Sequence, residues 1–272
     1  MPITDYDEYV DLLRLNRGAD FQMSGAIGKV NRPAAMWRLF VPAPANPTTS
    51  VALDKTSEVS LAQVPNSSTG KLAVLGGRLN TGSVSSVSMT VVDLLTYHGG
   101  MDATVTSEQT TNLPGGSTAP LPRHTSGAGV MIGLMIHQTG VGSTATTVTV
   151  KYTNQAGTAN RVSTATSFGG TGFRETSSLI LIPLQAGDTG ARSVEGVTLA
   201  ATTGAVGNFG VVLFKPLTVL ALESTTGAMP IDAITGGMVG AMQSFDDNAC
   251  LSCFAISTVN QALLGALLLG EV

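Results

Sequence analysis

Charged side chains are scarce: Asp, Glu, Lys and Arg make up 12% of the 272 residues, about half the share of an ordinary soluble domain. The basic residues are scattered, with Arg14, Arg17, Lys29, Arg32 and Arg38 followed by long gaps. Nucleic acid is held by clustered Lys and Arg that neutralise phosphates, so this footprint argues against direct nucleic-acid binding. Aromatics are only 5%, and Trp37 is the sole tryptophan. The core must therefore be assembled from Val, Leu, Ile, Ala and Met, small pieces that each need many neighbours. Two cysteines, Cys250 and Cys253, are too few and too close for a secreted disulfide framework. The opening MPITDYDEYV has neither the basic nor the apolar region of a secretory signal. Synthesis in a reducing cytoplasm is the expectation.

Groups that carry chemistry are equally sparse. The histidines are His98, His124 and His137, at spacings that match no ligand signature. Cys250-Leu-Ser-Cys253 is formally C-x-x-C, but it falls inside an apparent strand, where residues three apart face opposite sides. A zinc site would need two further ligands. No G-x-S-x-G elbow occurs, and SFGGTGFRE lacks the G-K-[ST] ending of a phosphate loop. Asp246-Asp247 and Asp5, Asp7, Glu8 are the local acidic clusters; the first has the charge for a cation but lacks the alternating ligand spacing of a calcium loop, and it reads as a solvated turn. No catalytic, cofactor-binding or metal residue is assigned, and the chain is expected not to be an enzyme.

What remains is a chain with 43% apolar residues and 32 glycines, long enough to bury a core without staples. A short helix is predicted at the N-terminus. Thr4 or Asp5 caps it, Asp7 and Glu8 occupy its first turn, and Tyr6, Tyr9 or Val10, and Leu13 give an apolar face that stops at Gly18. Residues 41–50, VPAPANPTTS, form a Pro-rich extended strap. From residue 51 the pattern is strand and turn. Strands are predicted at Lys71–Leu79, Ser86–Leu95, Val130–His137, Thr146–Thr153, Arg161–Thr166, Ser178–Leu184, Val194–Ala200, Phe209–Phe214 and Leu217–Leu222. In TTVTVKYT the residues Val148, Val150 and Tyr152 share one side while Thr147, Thr149 and Lys151 share the other. Turn clusters such as QTGVGST, NQAGTANR and QAGDTG separate the strands.

Residues 100–127 read as a long loop and 223–248 as weakly patterned. The uncharged stretch from Ala249 to Gly270 reads as two buried strands, CLSCFAIST and ALLGALLLG, rather than a membrane helix, because its apolar runs are strand-length. The expected fold is all-β and mainly antiparallel, a β-sandwich or jelly-roll-like barrel with a short N-terminal helix or arm. The expected division is residues 1–50 as helix and Pro-rich arm, and 51–272 as the sandwich domain.

The phrases DLLTYHGGMDATVTSEQTTNLP, TATTVTVKYTNQAGTANR and LILIPLQAGDTGARSVEGVTLAATTGAVGNFGVVLFKPL resemble virion structural proteins of tailed double-stranded DNA phages. The resemblance spans roughly residues 90–222 and continues in the final strand pair. It implies a β-rich protein present in repeated copies on the particle, as in capsid decoration (cement) proteins and tail components. It implies no catalytic residues. The expected partners are the chain itself, as a homo-oligomer and specifically a trimer, and the major capsid protein or another virion protein, with no nucleic acid and no membrane. The expected location is the virion, after synthesis in the host cytoplasm. A tail or baseplate component is the alternative structural expectation, and a carbohydrate- or receptor-binding module the alternative of another class.

Overall fold

The computed structural model describes residues 18–25, 34–38, 49–57, 59–60, 64–81, 87–111, 113, 120–137, 139–222, 231–232, 244–257 and 261–271. All regular structure among them is β. The first six strands are β1 (Gly18–Gly25), β2 (Ala34–Arg38), β3 (Val51–Ala52), β4 (Lys71–Thr81), β5 (Val87–Met101) and β6 (Gln109–Thr110). Next come β7 (Met131–Ile136), β8 (Thr146–Asn154), β9 (Arg161–Val162), β10 (Thr166–Phe168), β11 (Leu179–Ile182) and β12 (Ala191–Leu199). The chain continues with β13 (Phe209–Leu222), β14 (Ile231–Asp232), β15 (Ser244–Asp246), β16 (Cys250–Ser257) and β17 (Gln261–Glu271).

The strands form two antiparallel sheets. The larger runs β11-β7-β13-β5-β16-β2-β1-β17-β4-β14, with β15 added on β4 and β3 on β5; the smaller runs β10-β8-β12-β6, with β9 on β8. The small sheet packs over the β11-β7-β13-β5 end of the large one. Val148, Val150, Tyr152, Val194 and Val197 of the small sheet meet Ile132, Leu134, Phe209, Val211 and Leu213 of the large sheet in one buried cluster. Burying each such aliphatic side chain stabilises the fold by about 1.5–3 kcal/mol. Phe168 on β10 and Phe209 on β13 join the layers, their tilted rings 4.8 Å apart. The architecture is a sandwich, and no closed barrel forms among the described residues.

The opposite face of the large sheet is also covered. Leu94, Tyr97, Met135, Val212, Phe214 and Phe254 cluster there, with Leu53 and Val59 packed over them. A third cluster, including Met89, Val91, Leu251, Ala255, Leu267 and Leu269, holds the β5-β16 region to β17 and β4.

The alternation read in TTVTVKYT holds: Val148, Val150 and Tyr152 are fully buried, while Thr147 is exposed and Thr149 and Lys151 are half-buried. Several strand limits differ from expectation. β5 runs on through His98, Gly99 and Gly100 to Met101, so its end reaches into the segment expected to be loop. β13 is one strand where two were expected, because Pro216 sits beside a register shift against β5 that absorbs its missing N–H. The expected strand Arg161–Thr166 is split in two. Ser163 binds both backbone groups of Val150, through its own N–H and its Oγ, and Thr164 N–H turns away to Pro183 O at 3.1 Å. Within 100–127, Gln109 and Thr110 pair with Val197 and Gly196.

β16 and β17 are strands, as expected for the uncharged C-terminal stretch, and no helix among the described residues is long and apolar enough to cross a membrane. Within the segment 1–50, β1 pairs along its whole length with β17, from Gly18↔Leu268 to Gly25↔Gln261, and β2 pairs with β1 and β16. The helix expected in residues 1–18 lies outside the described residues up to Gly18, which opens β1. Residues 41–48 of the strap also lie outside them.

Candidate functional site

The sparse histidines and cysteines are dispersed. Cys250 belongs to the cluster under Leu53 and Val59 and Cys253 to the one against β17 and β4, so the two thiols occupy opposite faces of β16. Burial pushes both thiols up, far from the range of a reactive thiolate. His98 Nδ1 lies 3.1 Å from Ser50 Oγ, and burial lowers its pKa. His137 is buried against Tyr97, whose hydroxyl contacts its Nε2. Burial holds His137 down at about 4 and pushes the Tyr97 phenol up. His124 takes a left-handed backbone, φ 52°, with Nε2 3.4 Å from Asp93 Oδ2. Among the described residues no group of three or more His, Cys, Asp or Glu is placed to hold a metal ion.

Two ionic clusters that sequence reasoning missed fasten loops to the sandwich. Asp93, on β5, is fully buried. Arg123 donates to both its oxygens, Nε to Oδ2 at 2.9 Å and one terminal nitrogen to Oδ1 at 2.7 Å. That terminal nitrogen also donates to Leu94 O, and Cys250 N–H donates to Asp93 Oδ1 at 3.0 Å. A planar guanidinium fits a carboxylate in this two-pronged way. The chain after Arg123 is held as well. Lys215 Nζ donates to Ala128 O at 2.9 Å, Arg192 Nε to Ser126 O at 3.3 Å, and Gly129 N–H to Thr189 O at 2.9 Å. Within the loop expected at 100–127, Arg123 and Ser126 are thus fastened to the sandwich.

The second cluster ties the turn QAGDTG to β8 and β9. Asp188 accepts from Arg161 Nε at 2.9 Å, Tyr152 Oη at 2.5 Å and Asn154 Nδ2 at 2.7 Å. The hydrogen bonds from Arg161 and then Tyr152 bring its carboxyl down to about 2.

A seam lies between two sheet edges. β11 ends the large sheet and β10 ends the small one. Ile136 N–H donates to Ser178 O at 3.0 Å, and the register continues Ile180↔Leu134 and Ile182↔Ile132. Antiparallel ladders alternate, so the N–H and C=O groups of Leu179 and Leu181 point outward from β11. On the other side, Ala200 N–H donates to Thr147 O at 2.9 Å. Thr147 therefore faces β12, while Thr146 and Val148 face Phe168 and Thr166 of β10. The N–H and C=O of Ser167 consequently point away from β8. Between these edges lies an open groove of about 330 Å³, whose walls include Thr166, Ser167, Phe173, Leu179, Ile180 and Leu181 and carry no charged side chain among the described residues. Leu181 is 40% exposed.

No protein-family profile matches the chain, and no curated protein matches it. Two solved structures overlap it. One is of infectious bursal disease virus Gt strain, at TM-score 0.20 and 10% identity, covering 92% of this chain and 79% of that one. The other is of the Gx strain of the same virus, at TM-score 0.18 and 7% identity, covering 93% and 79%. Overlaps of this size carry no argument about fold or function.

Proposed function

We propose that the chain is a structural protein of a tailed-phage virion. In this reading it is a capsid decoration (cement) protein that assembles as a homo-oligomer, a trimer, and bridges major capsid subunits. The observation that carries this reading is the uncharged, open seam, on a chain whose ion pairs hold its own loops in place. Contact between neutral surfaces avoids stripping water from charges, the costly step when surfaces meet. The phrases that resemble phage virion proteins fall on residues 90–222, the stretch that supplies most of the sandwich. Reinforcement on this reading is mechanical: rigid sandwiches share load across many contacts, and no reaction is involved. The arm 1–18, the strap 41–50 and the loop 100–127 are the proposed contact regions.

The test is the copy number of the protein on purified particles, with the full chain and with residues 1–18 removed. A copy number in fixed ratio to the major capsid protein, reduced by the deletion, supports decoration with the arm as an anchor. A handful of copies per particle indicates a tail or baseplate component and overturns the decoration reading. Unchanged occupancy after deletion removes the arm from the proposed contacts.

A further inference from the structure

We propose that the seam between β10 and β11 is a strand-accepting site for an extended, uncharged segment of a neighbouring protein subunit. The walls specify such an occupant. Leu179 and Leu181 present outward N–H and C=O groups two residues apart, roughly 6.6–6.8 Å at the rise of a strand. That is the repeat at which one side of an extended chain offers its own N–H and C=O groups. Ser167 presents the same pair of groups from the opposite wall. A single inserted strand pairs with both, which removes two open edges at once. Open edges are the parts of a sheet most prone to take up another chain, and main-chain pairing of this kind gives affinity without demanding a particular sequence.

The lining sets the chemistry of the occupant. Among the described residues the groove has no charged side chain, so a Lys or Asp placed in it would surrender hydration without a partner. Leu181 is 40% exposed, and Phe173 packs on the edge of the sandwich core; both reward a small aliphatic or β-branched side chain. The occupant is short. β11 has four residues, and the bond from Thr164 N–H to Pro183 O ties the walls together at one end. The segment therefore lies alongside Leu179–Leu181 and turns out before Pro183.

That the segment belongs to a neighbouring subunit rests on the virion reading above; the strand-accepting property of the seam does not. The experiment titrates the full-length isotope-labelled protein with the capped peptide acetyl-Val-Thr-Val-Thr-Val-amide. It is repeated with the same peptide N-methylated at alternate residues. Saturable binding is expected, with amide exchange at Ser167, Leu179 and Leu181 slowed by about tenfold or more. The N-methylated peptide, the Leu181→Asp variant and the Ser167→Pro variant are each expected to weaken binding by about tenfold or more. Far-UV circular dichroism confirms that the variants remain folded. No saturable binding, or binding equally strong with the N-methylated peptide, overturns the proposal. Peptide binding by a protein that does not occupy particles supports the seam and overturns the virion reading alone.

Discussion

Asp93 occupies the most demanding position in the molecule. It lies on β5 in register with Lys215 of β13 on one side and Leu251 of β16 on the other, in a strand whose residues 91–97 are all buried. A carboxylate there is tolerable only with charge and hydrogen bonds supplied on the spot, and Arg123 supplies both while anchoring its loop. Such a pair adds little over a well-packed apolar pair of the same shape, but half of it is harmful. Arg123→Met is therefore expected to destabilise the chain by about 3–5 kcal/mol, since it leaves a buried charge uncompensated. The double substitution Asp93→Leu with Arg123→Met is expected to recover most of that loss. Urea denaturation of the two variants checks it. Equal destabilisation would mean that the cost lies in loop packing and not in the orphaned carboxylate.

At the scale of elements, three loops of the sandwich meet at one crossing. Thr203, fully buried, donates its N–H to Ala103 O at 2.9 Å, and its carbonyl accepts from Thr144 N–H at 3.1 Å. Its hydroxyl oxygen accepts from Gly142 N–H at 3.0 Å. A Cβ at Gly142 would lie 1.8 Å from Thr203 O, so only glycine lets these backbones approach. Gly142→Ala is expected to cost about 1–3 kcal/mol by overpacking, read as a lower urea midpoint with an unchanged slope. An unaltered midpoint would show that the crossing is slack.

Elements with one wet face were legible in the sequence and others were not. β8 shows its strand by alternation because its Thr147, Thr149 and Lys151 side meets solvent. The centre of β5 is covered on both faces, so period-2 patterning vanishes there, and neither His98-Gly99-Gly100 nor Pro216 in its partner β13 marks the real limits. The pairing of β1 with β17 links residues 18–25 to 261–268, a separation no local pattern reports. The opposite placement of Cys250 and Cys253 was legible from strand periodicity alone. The Asp93–Arg123 pair, 30 residues apart, and the seam between Ser167 and Leu181 were not, since both arise from which strands end up as neighbours.

At the scale of the whole molecule, buried and fastened groups combine into an acid stability curve with two separate windows. His137 titrates at 6.5 when unfolded and at about 4 in the fold. Between those values the unfolded chain binds a proton that the folded chain refuses, so stability is full above pH 6.5 and falls as pH drops towards 4. At about 1.4 kcal/mol per pH unit, the loss amounts to about 3 kcal/mol. His98, lowered by burial, acts in the same direction. Asp188 belongs to a lower window. Its carboxyl is depressed from 3.8 to about 2 by Arg161 and Tyr152, so its contribution is present above pH 3.8 and is lost as pH falls through about 2. Urea midpoints measured from pH 8 to pH 2 should decline first below 6.5 and again below 3.8. His137→Gln should flatten most of the first decline and leave the second, whereas Asp188→Asn should leave the first and lessen the second, to which Glu271, Asp54 and Asp246, also held low in the fold, contribute as well. A first decline of unchanged slope in His137→Gln would show that the proton is taken up elsewhere, and that burial against Tyr97 does not set the acid limit of the sandwich.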